Sequence, residues 1–114
     1  MSVKDQIAQM ARYHRWATER LLAAIEPIAE DLYRKPCGLF FGSIHGTLNH
    51  LLLTDNAIWY PRFAGSPSAT LPLDAELESD RAALASRLIK ATAIWSGYVD
   101  GLSEAALAVI FDTR

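Results

Sequence analysis

Gly42-Ser43-Ile44-His45-Gly46-Thr47-Leu48-Asn49-His50-Leu51-Leu52-Leu53-Thr54-Asp55-Asn56-Ala57-Ile58-Trp59 is the segment on which the reading of this chain turns. At about 100° per residue, Ile44, Leu48, Leu51, Asp55 and Ile58 fall on one face of a helix, so apolar periodicity predicts a helix opened by Gly42 and Ser43 and running to about Tyr60. Pro61 stands as its terminator or kink. The same segment gathers two histidines and an aspartate, ligand types that divalent transition metals favour. Three protein ligands are the usual minimum for a catalytic metal, however, and no second histidine-rich helix follows downstream.

Working outward, Ile7, Met10, Ala11, Trp16, Ala17, Leu21, Leu22 and Ile25 recur at intervals of three and four, with Tyr13 at the edge of the stripe. This predicts an amphipathic helix from Val3 to roughly Ile28, with Ser2 as its N-cap, Asp5 and Gln6 in the first turn, and Pro27 at its frayed end. Glu30 to Phe41 reads as a connecting loop with a helical turn at Ala29 to Tyr33. Gly65 to Pro72 has the composition of a surface loop. Asp74 is the expected cap of a third helix reaching about Val99, with Leu77, Leu84, Leu88, Ile89, Ala93, Ile94 and Trp95 on its apolar side. Ser103 caps a short fourth helix, and Val109-Ile110-Phe111 is β-prone. Helix after helix with short connections predicts an all-α, up-down bundle that is one long helix short of four.

The chain of 114 residues is the size of one small domain, and 51% hydrophobic content is ample for a core. Its net charge is −2 and no run of lysine or arginine is dense enough to track a phosphate backbone, which argues against a nucleic-acid partner. No apolar stretch approaches the ~18 residues of a membrane span, and the N-terminus has charges where a signal peptide needs apolar residues. The lone Cys37 excludes an internal disulfide and reads as a small loop residue. A cytoplasmic protein is expected.

Tyr13-His14-Arg15-Trp16-Ala17-Thr18-Glu19-Arg20-Leu21-Leu22, followed by Phe40-Phe41 and the quoted segment as far as Asp55, closely resembles the DinB family. Ile58-Trp59, Arg62-Phe63, Leu71-Pro72-Leu73, Asp80 to Leu84 and Leu102-Ser103 extend the likeness over essentially the whole chain, 1–114, as one bundle domain. The resemblance implies the DinB/YfiT-like four-helix bundle, with a divalent metal, Zn or Ni, held by three histidines. One of them would be His50, and the other two would come from an H-x-x-x-H pair on a last helix. It further implies a metal-dependent S-transferase using a low-molecular-weight thiol on a small-molecule substrate. The sequence reaches Asp112-Thr113-Arg114 about where that last helix is expected to follow, so the closing helix is expected to be missing or supplied by a partner chain, and the metal site to be incomplete or vestigial.

Residue by residue, His50 reads either as a metal ligand or as a boundary histidine hydrogen-bonded across the bundle. His45 lies five residues earlier, so the two side chains diverge by roughly 140° and do not chelate one ion. Asn49 is its expected hydrogen-bond neighbour, on another face from His50. Asp55, placed among apolar residues, requires a partner, with Arg15, Arg20 or Tyr13 as candidates, or else serves as support to a metal site. His14, Tyr13 and Trp16 read as helix packing. Trp59, Tyr60 and Phe63 read either as pocket-lining or as simply buried aromatics, burial being the commoner fate near a helix end. Beside the transferase stands a second reading, a non-catalytic scaffold that forms a homodimer through its uncovered helices. A weaker third has two chains sharing an ion across a two-fold axis through His50 or His45.

Overall fold

The computed structural model describes residues 2–108, and these form helices and loops with no strand among them. Helix α1 (Val3–Ile25) begins as the sequence predicts: Ser2 Oγ accepts from Asp5 N at 3.1 Å while the Asp5 carboxylate accepts from Ser2 N at 3.2 Å, a reciprocal capping box. After the short α2 (Glu30–Arg34), Gly38 and Gly42 take φ of +83° and +87°, a left-handed geometry open to glycine that folds Cys37 to Gly42 into a tight turn. Ser43 then caps α3 (Ile44–Leu52) by accepting from Gly46 N at 3.0 Å.

Pro61 does not end this helix. Beyond Leu52 the turns widen into a π-helical segment, Leu53–Trp59, and the chain continues through Pro61 into α4 (Tyr60–Phe63). Two features account for the widening. The Thr54 hydroxyl donates back to the carbonyls of His50 and Leu51, each at 3.1 Å. Pro61 has no N–H to donate and its ring would strike the Ala57 carbonyl in a regular α-helix; here that oxygen instead accepts from Ala69 N at 2.9 Å.

The long C-terminal helix, α5 (Arg81–Asp100), is capped by Asp80, whose Oδ2 accepts from Ala83 N at 2.8 Å. Asp74 is therefore not its cap, because residues 74 to 80 are held as an extended strap by the Asn49 side chain. Asn49 Oδ1 accepts from Leu77 N (2.8 Å) and Glu78 N (3.0 Å), and its Nδ2 donates to Glu78 O (3.2 Å), so these peptide groups are engaged outside any helix. The strap is tied further by Arg87, which donates to Leu77 O at 2.9 Å. Ser103 caps α6 (Glu104–Leu107), as the sequence predicts, while the β-prone Val109-Ile110-Phe111 lies outside the described residues.

Helices α1 and α5 run antiparallel along their lengths. Lys4 Nζ donates to Asp100 O (3.0 Å) at one end, and Arg81 donates to Ile25 O (2.8 Å) at the other while its guanidinium lies 4.1 Å from the Tyr33 ring centre. The core joins Tyr33, Leu48, Leu52, Leu84, Leu88 and Ala91, with Leu22, Ile25 and Leu77 packed against it. Each fully buried leucine there contributes about 1.5–3 kcal/mol. One expectation about faces fails: Leu51, assigned to the core face, is exposed, while His45, which diverges from His50 as expected, is in the core at 5% exposure. Three of the eight residues of the α1 stripe, Met10, Trp16 and Leu21, are likewise exposed. The radius of gyration, 15.6 Å, exceeds the ~13 Å of a close-packed chain this long, in keeping with an uncovered helical face. No helix of the described residues is long and apolar enough to cross a membrane.

Candidate functional site

The three histidines are separated by the fold into three different settings. His45 sits where α3 meets α2 and the strap, its Nδ1 2.7 Å from Tyr33 Oη and its Nε2 2.7 Å from Glu76 Oε1. An ionised carboxylate only accepts, so Nε2 carries the proton and Nδ1 receives the Tyr33 hydroxyl. Burial pushes the Tyr33 phenol above its ordinary range, which keeps it protonated as that bond requires. In this tautomer the 3.3 Å approach of Asn49 Nδ2 to His45 Nε2 is a contact between two N–H groups; the Asn49 amide donates instead to His45 O and Glu78 O, each at 3.2 Å. With both ring nitrogens engaged, His45 is a fastener for the strap and not a ligand. Asn49, expected as its simple neighbour, is the residue that holds the strap's backbone.

His50 lies one turn on, at the margin that the sequence assigns to it. Its Nδ1 is 3.0 Å from Leu73 O and its ring stacks on Phe41, with centroids 3.8 Å apart and planes at 18°. A carbonyl oxygen can only accept, so Nδ1 is the protonated nitrogen and Nε2 presents its lone pair. This is the arrangement that orients a metal-binding imidazole, since the second nitrogen is tied to a carbonyl and fixes tautomer and ring plane together. In the sequence Phe41 enters only through the family resemblance, with no sign of its stacking on His50; the left-handed Gly42 beside it is where the structure turns the chain.

Among the described residues, no group of three or more His, Cys, Asp or Glu side chains is placed to hold a metal ion. The donor set around His50 is therefore one imidazole, short of the three ligands that a catalytic site requires. Cys37 is exposed, its thiol 3.6 Å from Gly42 O.

His14 and Asp55 form the third setting. Neither Arg15, which pairs with Glu19 at 3.0 Å, nor Arg20, which lies over Trp16, reaches the aspartate. Its partner is His14, Nε2 to Oδ2 at 2.8 Å, joining α1 to the π segment. The Asp55 hydrogen bond and charge outweigh partial burial and raise the His14 pKa above its ordinary 6.5. Thus His14, read from sequence as packing, is a polar link, and Asp55 is half-buried, not in the core. Both line a groove of about 400 Å³ between α1 and α5, walled by Met10, Phe63, Trp95 and Tyr98 and closed by Leu107 of α6. Phe63, for which the sequence leaves both pocket lining and burial open, forms part of this wall, and Tyr98 Oη donates to its carbonyl at 2.6 Å.

The family model described as DinB family matches residues 1–109. No curated protein and no solved structure matches the chain.

Proposed function

The chain belongs to the DinB family, and from that premise we propose that it is a divalent-metal-dependent transferase of a low-molecular-weight thiol, with His50 Nε2 as one metal ligand and the remaining ligands outside residues 2–108. The observation that carries this reading is the tie from His50 Nδ1 to Leu73 O, which leaves Nε2 as the lone-pair nitrogen and holds the ring against Phe41. Zn or Ni suits an imidazole donor. Calorimetric titration of the metal-stripped protein with Zn²⁺ and Ni²⁺ tests it, alongside His50→Ala checked for helicity by circular dichroism. The reading expects the variant to bind at least ~10-fold more weakly, the loss typical of a removed ligand or its support. Equal binding by both proteins, or none by either, removes it.

A second reading rests on a separate observation. Met10, Tyr13 and Trp16 stand 69%, 65% and 54% exposed along the outer side of α1, beside a concavity that also takes in Gln6 and Ala17. Apolar surface of this kind supports a scaffold role in which α1 associates with a second copy as a homodimer. Sedimentation of the protein at micromolar concentration distinguishes the two: a dimer dispersed by Trp16→Glu supports association, and a monomer eliminates it.

A further inference from the structure

The groove beside His14 and Asp55 is independent of His50, which is not among the residues lining it. At about 400 Å³ it is within the size range of small-molecule sites, and its walls are overwhelmingly apolar. Phe63, Trp95 and Tyr98 meet edge to face, with Phe63 to Trp95 and Trp95 to Tyr98 centroids 5.6 and 6.2 Å apart, so the aromatic wall is preassembled. Into this wall the fold sets one basic group. Asp55 accepts from His14 Nε2, so in the neutral ring Nδ1 is the nitrogen bearing the lone pair, and no described residue hydrogen-bonds to it. The titratable groups lining the groove are His14 from α1, Asp55 from the π segment and Tyr98 from α5, and the Tyr98 hydroxyl is already spent on Phe63 O.

We propose that this groove binds a phenol-like molecule, an aromatic ring carrying one weakly acidic O–H, with His14 Nδ1 as the base that receives its proton and Asp55 as the residue that positions the imidazole. The aromatic wall selects the ring, and the single base selects one donor. A ligand that arrives as an anion would meet the Asp55 carboxylate, whereas a neutral phenol does not. On binding, the O–H bond breaks with its electron pair retained by the ligand oxygen, and the proton forms the Nδ1–H bond of an imidazolium held between phenolate and Asp55. Net charge is unchanged. The raised pKa of His14 acts in the same direction.

The probes are 4-nitrophenol, whose phenolate has its own visible absorption, and 4-nitroanisole, which has the same ring and no acidic proton. Binding is followed by quenching of tryptophan fluorescence at neutral pH and by the absorption of bound nitrophenol. The full chain is expected to bind nitrophenol about tenfold or more tightly than nitroanisole, with the bound form shifted toward phenolate. His14→Gln, with unchanged helicity, is expected to bind both probes alike, and Asp55→Asn to retain binding with a smaller phenolate fraction. Equal affinity for the two probes in the unaltered protein, a preference that survives His14→Gln, or binding of neither overturns the proposal. A phenolate fraction unchanged in Asp55→Asn overturns the positioning role.

Discussion

Replacing Asn49 tests the strap that decides where α5 begins. The side chain is 1% exposed, and its removal leaves Leu77 N, Glu78 N and Glu78 O without the partners they hold at 2.8, 3.0 and 3.2 Å. At about 1 kcal/mol of net loss for each bond, Asn49→Ala is expected to lower stability by about 3 kcal/mol. With a urea dependence of roughly 1.5 kcal/mol per molar for a chain this small, the unfolding midpoint falls by roughly 2 M. Asn49→Leu keeps the volume but not the bonds, so it is expected to lose a similar amount; a cavity effect alone would spare it. Amide hydrogen exchange adds a local readout, because protection at Leu77 and Glu78 depends on the Asn49 carbonyl oxygen in both proteins. A midpoint shift corresponding to less than about 0.5 kcal/mol in both variants, or unchanged protection at those two amides, would refute the reasoning.

Gly46→Ala ordinarily stabilises a helix interior by about 1 kcal/mol, but here the added Cβ would lie 2.2 Å from Phe41 O, so the urea midpoint is expected to fall by an equivalent of about 1–3 kcal/mol. Because Phe41 must move to admit it, the His50 imidazole resonances are expected to shift in the same variant. For His14, the folded pKa lies above the unfolded 6.5, so its link to Asp55 contributes fully below about pH 6.5 and fades as pH rises through the raised folded value. The stability difference between the protein and His14→Gln, measured by urea unfolding, is therefore expected to shrink on going from about pH 6 to about pH 8.5, and a difference that grows contradicts the pairing.

The parts of the fold that local rules govern were legible in the sequence. Ser2, Ser43 and Ser103 each cap the helix they precede, and the apolar spacing of α1 and α3 declared helices because short-range hydrogen bonding and one buried stripe decide those elements. The start of α5 was not legible. Asp74 and Asp80 are equally good caps in isolation, and only the Asn49 amide, 28 residues from Leu77, chooses between them. A long-range contact of that kind leaves no periodic trace. The site divides in the same way. Helical phase placed His50 at a margin and separated it from His45, but the carbonyl of Leu73 and the ring of Phe41, which set its tautomer and plane, come from loops. Asp55 announced its need for a partner, since a carboxylate among apolar residues demands one. The choice of His14 over its charged neighbours depended on rotation within the widened turns, which a regular helical wheel does not contain.

Those widened turns give the long helix an adjustable joint. Each residue of Leu53–Trp59 advances the helix by roughly 20° less than an α-helical residue, so across seven residues the tip is unwound by roughly a third of a turn relative to the base. Base and tip are thereby phased independently. The base carries Asn49 and His50 and answers to the strap, while the tip carries Phe63 and answers to α5. A change of one residue in this stretch can be taken up by exchanging π for α turns, re-aiming the groove's outer wall while the imidazole of His50 keeps its setting. The segment lets the groove wall and the His50 setting take different phases on a single continuous helix.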